Sequence, residues 1–105
     1  MNLEELNNKI IQDFKKGNFR ENFKDLIKIY KLKKDSDIAN KIGVVLINLN
    51  KINYAKYFFK IAIDQNNKNF KPYYNLANLY KSNDKKLSEK YIDLALEIDD
   101  KKEAI

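Results

Sequence analysis

Apolar residues recur at spacings of three and four along almost the whole chain, and no segment alternates apolar and polar positions as a half-buried strand would. Six stretches carry the pattern. They are Leu3, Leu6, Ile10, Phe14; Phe19, Phe23, Leu26, Ile27, Tyr30; Ile38, Ile42, Val45, Leu46, Leu49; Ala55, Phe58, Phe59, Ala62; Tyr73, Leu76, Ala77, Tyr80; and Leu87, Tyr91, Ile92, Ala95, Ile98. Each predicts an amphipathic helix of about three or four turns, the usual length in globular proteins. Only two Gly and one Pro interrupt the chain, so the expected class is all-α with about six helices.

The breaks repeat. Gly17, Asn50 and Asn83 are spaced by 33 and 33, each between two periodic stretches. Gly and Asn best tolerate the left-handed conformation that ends a helix, which predicts three equivalent tight turns. A second register, Lys34, Asn67 and Asp100, has the same spacing and predicts the end of each second helix. Small residues keep step as well: Gly43 and Ala77 lie 34 apart, Ala55 and Ser88 33, Ala62 and Ala95 33. Small side chains at matched places let paired helices approach closely, so the unit is a helix hairpin of 33 or 34 residues. Pro72 suits a first helical turn, Ser36 or Asp35 can cap the third helix, and Asp84 the sixth.

The stretch Tyr73-Tyr74-Asn75-Leu76-Ala77-Asn78-Leu79-Tyr80, with Asn83-Asp84 and Ala95-Leu96-Glu97-Ile98-Asp99 after it, resembles a tetratricopeptide repeat. Tyr73, Leu76, Ala77 and Tyr80 match the series of that family's first helix; Ser88, Ile92 and Ala95 match its second. Asp100 stands at the family's usual proline place, and the turn of this repeat is one residue short of the pattern. The middle repeat is similar through Ile42, Gly43, Leu46, Ala55, Phe59 and Ala62, with Asn67 at the proline place. The first departs further. Ile10 stands where a small residue belongs, and Phe23, Ile27 and Tyr30 align with Ala55, Phe59 and Ala62, bulky groups that should widen this hairpin. The resemblance implies one domain over residues 1–105, a right-handed superhelical array of antiparallel hairpins. Residues 1–36 form a degenerate repeat, 37–70 a full one, and 71–105 one without a full capping helix.

Composition removes most chemistry. The 105 residues include no Cys, His, Thr or Trp, which excludes thiol nucleophiles, imidazole bases and zinc sites built on His or Cys. Ser36, Ser82 and Ser88 have no base, and Gly17 and Gly43 cannot build a phosphate loop. No catalytic residue, cofactor or metal is expected, and the chain is not expected to be an enzyme. The amino terminus lacks signal-peptide character and the longest apolar run is Val44 to Ile47, so a cytoplasmic protein without membrane insertion is expected. The net charge of +6 comes from 21 Lys+Arg against 15 Asp+Glu. Since Lys, Asn and Ile make up 48 residues and Arg20 is the one arginine, nucleic-acid binding is a minor expectation.

In proteins of the resembling family the first helices of successive repeats line a concave groove that binds a peptide or partner helix. The residues this implies here are Asn8, Gln12, Asn40, Val44, Ile47, Asn48, Lys71, Tyr74, Asn75, Asn78 and Lys81. Their asparagines offer donor and acceptor to a peptide backbone, and Tyr74 an aromatic anchor. On the last helix Leu87, Tyr91, Leu94 and Ile98 fall within about 60° of one another. They form a stripe apart from Ser88, Ile92 and Ala95, which should pack on the fifth helix. With only Lys101-Lys102-Glu103-Ala104-Ile105 beyond it, that stripe is expected to support self-association. The functional expectation is a protein-interaction module or scaffold, with a self-assembling structural protein as its rival.

Overall fold

The computed structural model describes residues 1–103, with side chains described for residues 1–99. The helices are α1 (Leu3–Lys15), α2 (Phe19–Leu32), α3 (Ser36–Asn48), α4 (Ile52–Gln65), α5 (Phe70–Tyr80) and α6 (Lys85–Glu103). No strand occurs among the described residues. Each helix packs on the next in sequence, and α3 also approaches α5. This is the all-α array of hairpins that the periodicity predicts.

Short polar side chains start the helices. Asn2 Oδ1 accepts from the Glu5 N–H at 2.8 Å, Asp35 Oδ1 from the Asp37 and Ile38 N–H groups, and Asp84 Oδ1 from the Leu87 N–H at 3.1 Å. Asp35 is thus the cap of α3. Ser36 is buried instead and donates its hydroxyl to the Ala62 carbonyl at 2.7 Å. Gly17 and Asn50 adopt φ of 77° and 61°. Behind them the Asn18 and Lys51 N–H groups reach back to the Asp13 and Leu46 carbonyls, both at 2.8 Å, closing two matched Schellman turns.

The third turn departs from expectation. Asn83 is not left-handed. Four residues, Lys81 to Asp84, separate α5 from α6, and the Asp84 N–H returns to the Tyr80 carbonyl at 2.8 Å, so the chain turns without a positive φ. Nor does Asp100 end a helix: α6 runs through it to Glu103.

Burial corrects the register of the first repeat. Asn22 (0% exposed), Ala55 (0%) and Ser88 (5%) occupy one structural position, spaced by 33, so Asn22 rather than Phe23 matches Ala55. Their hydrogen bonds agree. Asn22 Nδ2 donates to the Ile10 carbonyl and Ser88 Oγ to the Ala77 carbonyl, both at 2.8 Å. In the same frame Leu26 corresponds to Phe59, and Ile10 to Gly43. Leu26, Ile42, Val45, Leu46, Ala55, Phe59 and Leu76 form the core, centred on α3 and α4. A Cβ on Gly43 would overlap the Phe59 ring, so glycine here lets α4 close on the α3 backbone.

The last helix buries Ser88 and Ala95 as expected but turns Tyr91, and not Ile92, toward its neighbour. Leu87, Tyr91, Leu94 and Ile98 are half-buried, while Ile92 and Leu96 are 38% and 45% exposed. The reason lies in the Tyr91 ring. It stacks on Tyr80 with centroids 6.0 Å apart and tilts against Tyr73 at 6.3 Å, which turns Tyr91 toward α5 and Ile92 outward.

Candidate functional site

The residues of the expected groove separate into two groups. On α1, Asn8 and Gln12 are exposed; at about 100° per residue they lie nearly opposite Leu3, Ile10 and Phe14. On α3 and α5, Asn40 is buried at 7% exposure and its Oδ1 accepts from Asn75 Nδ2 at 2.8 Å, which ties the two helices together. Asn48 donates to the Val44 carbonyl of its own helix at 2.9 Å. Tyr74 is half-buried, edge-on to Phe70 with centroids 5.8 Å apart; Lys71, Asn78 and Lys81 are exposed. Tyr73 belongs to the core. It is 8% exposed, its hydroxyl donates to the Asn67 carbonyl at 3.1 Å, and burial pushes its phenol above the ordinary value.

A second concavity, which the periodicity did not single out, is mainly apolar. A groove of about 1060 Å³ opens between α1, α2 and α3. Leu3, Leu6, Ile10, Ile11 and Phe14 line one wall, Ile38, Val44 and Val45 the other, and Leu26, Ile29 and Leu32 lie between them. Of the expected groove residues, Val44 alone lines it.

The groove exists because α1 packs on α2 and on no other helix, whereas α3 and α5, one repeat further on, approach each other. No residue of α1 is fully buried. Leu32, Leu3 and Ile11 are 90%, 64% and 51% exposed, an apolar surface of the kind that marks an interaction site when contiguous.

The charges around the groove are uneven. Lys15, Lys28, Lys33 and Lys41 border it, and none of their ammonium groups makes a hydrogen bond or ion pair among the described residues. Its two acids are engaged: Asp35 caps α3, and Asp37 Oδ1 accepts from Asn69 Nδ2 at 3.0 Å. Asn22 sits at the groove with a further feature. Its Oδ1 is buried and has no hydrogen-bond partner.

A separate ion cluster holds α1 to α2. Lys9 Nζ lies 2.7 Å from Asp25, 2.8 Å from Asp13 and 3.9 Å from Glu21. Hydrogen bonds donated to the Asp13 and Asp25 carboxylates hold the Lys9 ammonium well above its ordinary pKa, and accepting from Lys9 lowers that of Asp13. Among the described residues no group of three or more His, Cys, Asp or Glu is placed to hold a metal ion. No described helix is long and apolar enough to cross a membrane.

Fold and groove together define an array of α-helical hairpins carrying an open apolar cleft beside its first helix. No family model and no curated protein matches the chain.

Proposed function

We propose that the protein is a protein-interaction module of the tetratricopeptide-repeat kind, binding an apolar-faced segment of a partner between α1 and α3. The observation that carries this reading is the groove itself, a continuous apolar cleft with side chains as exposed as Leu32 and Ile11 at its edge. Support for the repeat reading comes from the matched Schellman turns at Gly17 and Asn50 and the common seat of Asn22, Ala55 and Ser88. The polar surface of α3 and α5, with Asn78, Lys71 and Tyr74, extends the binding face beyond the groove.

The test is a pull-down of the tagged protein from its host's lysate with and without nuclease, repeated with Leu32→Glu. The reading expects a protein that survives nuclease and is lost with Leu32→Glu. Material lost on nuclease assigns the lysines to nucleic acid instead, with the steep salt dependence that phosphate contacts bring.

A further inference from the structure

The structure assigns the groove a more specific occupant, an amphipathic helix of another protein whose apolar stripe is flanked by Asp and Glu. This inference rests on the interaction-module reading and adds the partner's conformation and charge.

The conformation follows from hydrogen bonding. The groove walls are helices whose backbone groups are satisfied internally, and the larger part of the lining is aliphatic or aromatic, with the lysines and aspartates at the border and Asn2, Asn7 and Asn22 as the neutral polar residues. An extended peptide laid there would bury more N–H and C=O groups than the few amide side chains of the lining, such as Asn7 and Asn22, could pair. A helix satisfies its own backbone and can set side chains at spacings of three and four against both walls. The dimensions agree: α1 has 13 residues, and at about 1.5 Å per residue its wall is about 20 Å long, room for a helix of three to four turns.

The charge follows from the border. Lys15, Lys28, Lys33 and Lys41 make no ion pair among the described residues, and they outnumber the two carboxylates at the border, Asp35 and Asp37, whose hydrogen bonds go to α3 N–H groups and Asn69. A partner bringing carboxylates to these lysines gains attraction that a neutral or basic one does not. A second copy of the chain fits poorly in either orientation. Two such grooves face to face would bring eight lysines together. The outward face of α6, with Ile92 and Leu96, carries Lys86 and Lys90 beside Glu89 and Asp93, so its charge is mixed.

The experiment is selection of a displayed library of amphipathic helices, with randomised flanks, on the intact protein. The selected peptide is then resynthesised and its affinity measured by fluorescence anisotropy. Enrichment of Asp and Glu on both flanks is expected. Leu32→Glu or Ile11→Glu should weaken binding roughly thirtyfold, and Lys28→Glu with Lys33→Glu roughly tenfold. A peptide with Lys in place of its acids should recover affinity for the Lys28→Glu, Lys33→Glu protein. These side chains are exposed, so an unchanged circular dichroism spectrum separates lost binding from lost folding. Groove-dependent peptides without acidic flanks overturn this inference and leave the module reading standing. Selection of nothing that depends on Leu32 or Ile11, together with an empty pull-down, overturns both. Concentration-dependent oligomers abolished by Ile11→Glu put a second copy in the groove, and binding to phosphatidylserine vesicles abolished by Lys28→Glu with Lys33→Glu puts a membrane there. Either result contradicts the proposal.

Discussion

In the second hairpin Gly43 lets the Phe59 ring rest against the α3 backbone; in the first hairpin the corresponding pair is Ile10 and Leu26. The partner at the small-residue seat of the second helix changes too, from Ala55 to Asn22, which ties α1 to α2 through the Ile10 carbonyl. The second hairpin closes into the centre of the core. The first keeps its α1–α2 contact through hydrogen bonds and ions but leaves α1 clear of α3. The same 33-residue frame thus holds a packed core where its pivotal residue is glycine and an open apolar cleft where it is isoleucine.

Truncation measures that contrast most strongly. Phe59→Ala, at 0% exposure, should cost about 3–5 kcal/mol of unfolding free energy in urea titrations. Leu26→Ala, beside the open groove, costs about 2 kcal/mol, because the site can collapse. The third member of the series, Ile92→Ala, stays within about 0.5 kcal/mol, because Ile92 faces outward. Equal costs at all three would dissolve the distinction between the hairpins.

Filling the tight contact comes next. Gly43→Ala should destabilise by about 1–3 kcal/mol through overlap with Phe59. That outweighs the gain in helix propensity of about 1 kcal/mol. A stabilised Gly43→Ala protein, seen as a higher midpoint in the same titration, would contradict the close approach of α4 to α3.

The two buried hydrogen-bonding side chains at equivalent seats then part company. Ser88→Ala loses one bond and should cost about 1 kcal/mol. Asn22→Ala also loses one and leaves a larger void, but it removes as well a buried Oδ1 with no partner among the described residues, so its cost falls below that of an ordinary buried Asn. Thermal unfolding of both variants checks these costs.

The smallest effect is the pH dependence of the first hairpin. The Asp13 pKa is lowered in the folded protein, chiefly by its hydrogen bond from Lys9. Its contribution to stability is therefore present above the ordinary carboxylate range and is lost as pH falls through the folded value. Lys9 is raised, so its contribution is full below the ordinary lysine value and fades only as pH rises beyond it. Between those limits the cluster is insensitive to pH. Melting temperatures followed from neutral into acid should fall less for Lys9→Met than for the parent chain.

The hairpins were legible because helix periodicity and turn residues are local signals: Gly17 and Asn50 announce their turns and Asp84 its cap. Asn83 looked equivalent, but α5 ends one residue earlier in the frame than α3 does, and the Asp84 N–H closes the turn on the Tyr80 carbonyl without a left-handed link. Ser88 and Ala95 were legible as buried, but that Tyr91 and not Ile92 joins them depends on Tyr91 stacking on Tyr80, a contact that no spacing within α6 reveals. The groove was half legible. Ile10 at a small-residue place signalled a looser first repeat. That the looseness falls between α1 and α3, and that Ile11 joins its wall, follows from how α2 holds α1 through Asn22 and Lys9, contacts between separate helices.

The most direct test of an open first repeat is a methyl NOE map of the free protein. An open groove gives no cross-peaks between Leu3 or Ile11 on α1 and Ile38 or Val44 on α3, alongside strong ones within the core from Ile42, Val45, Leu46 and Leu76. Clear cross-peaks between the two walls would show α1 closed on α3 and contradict the existence of the groove.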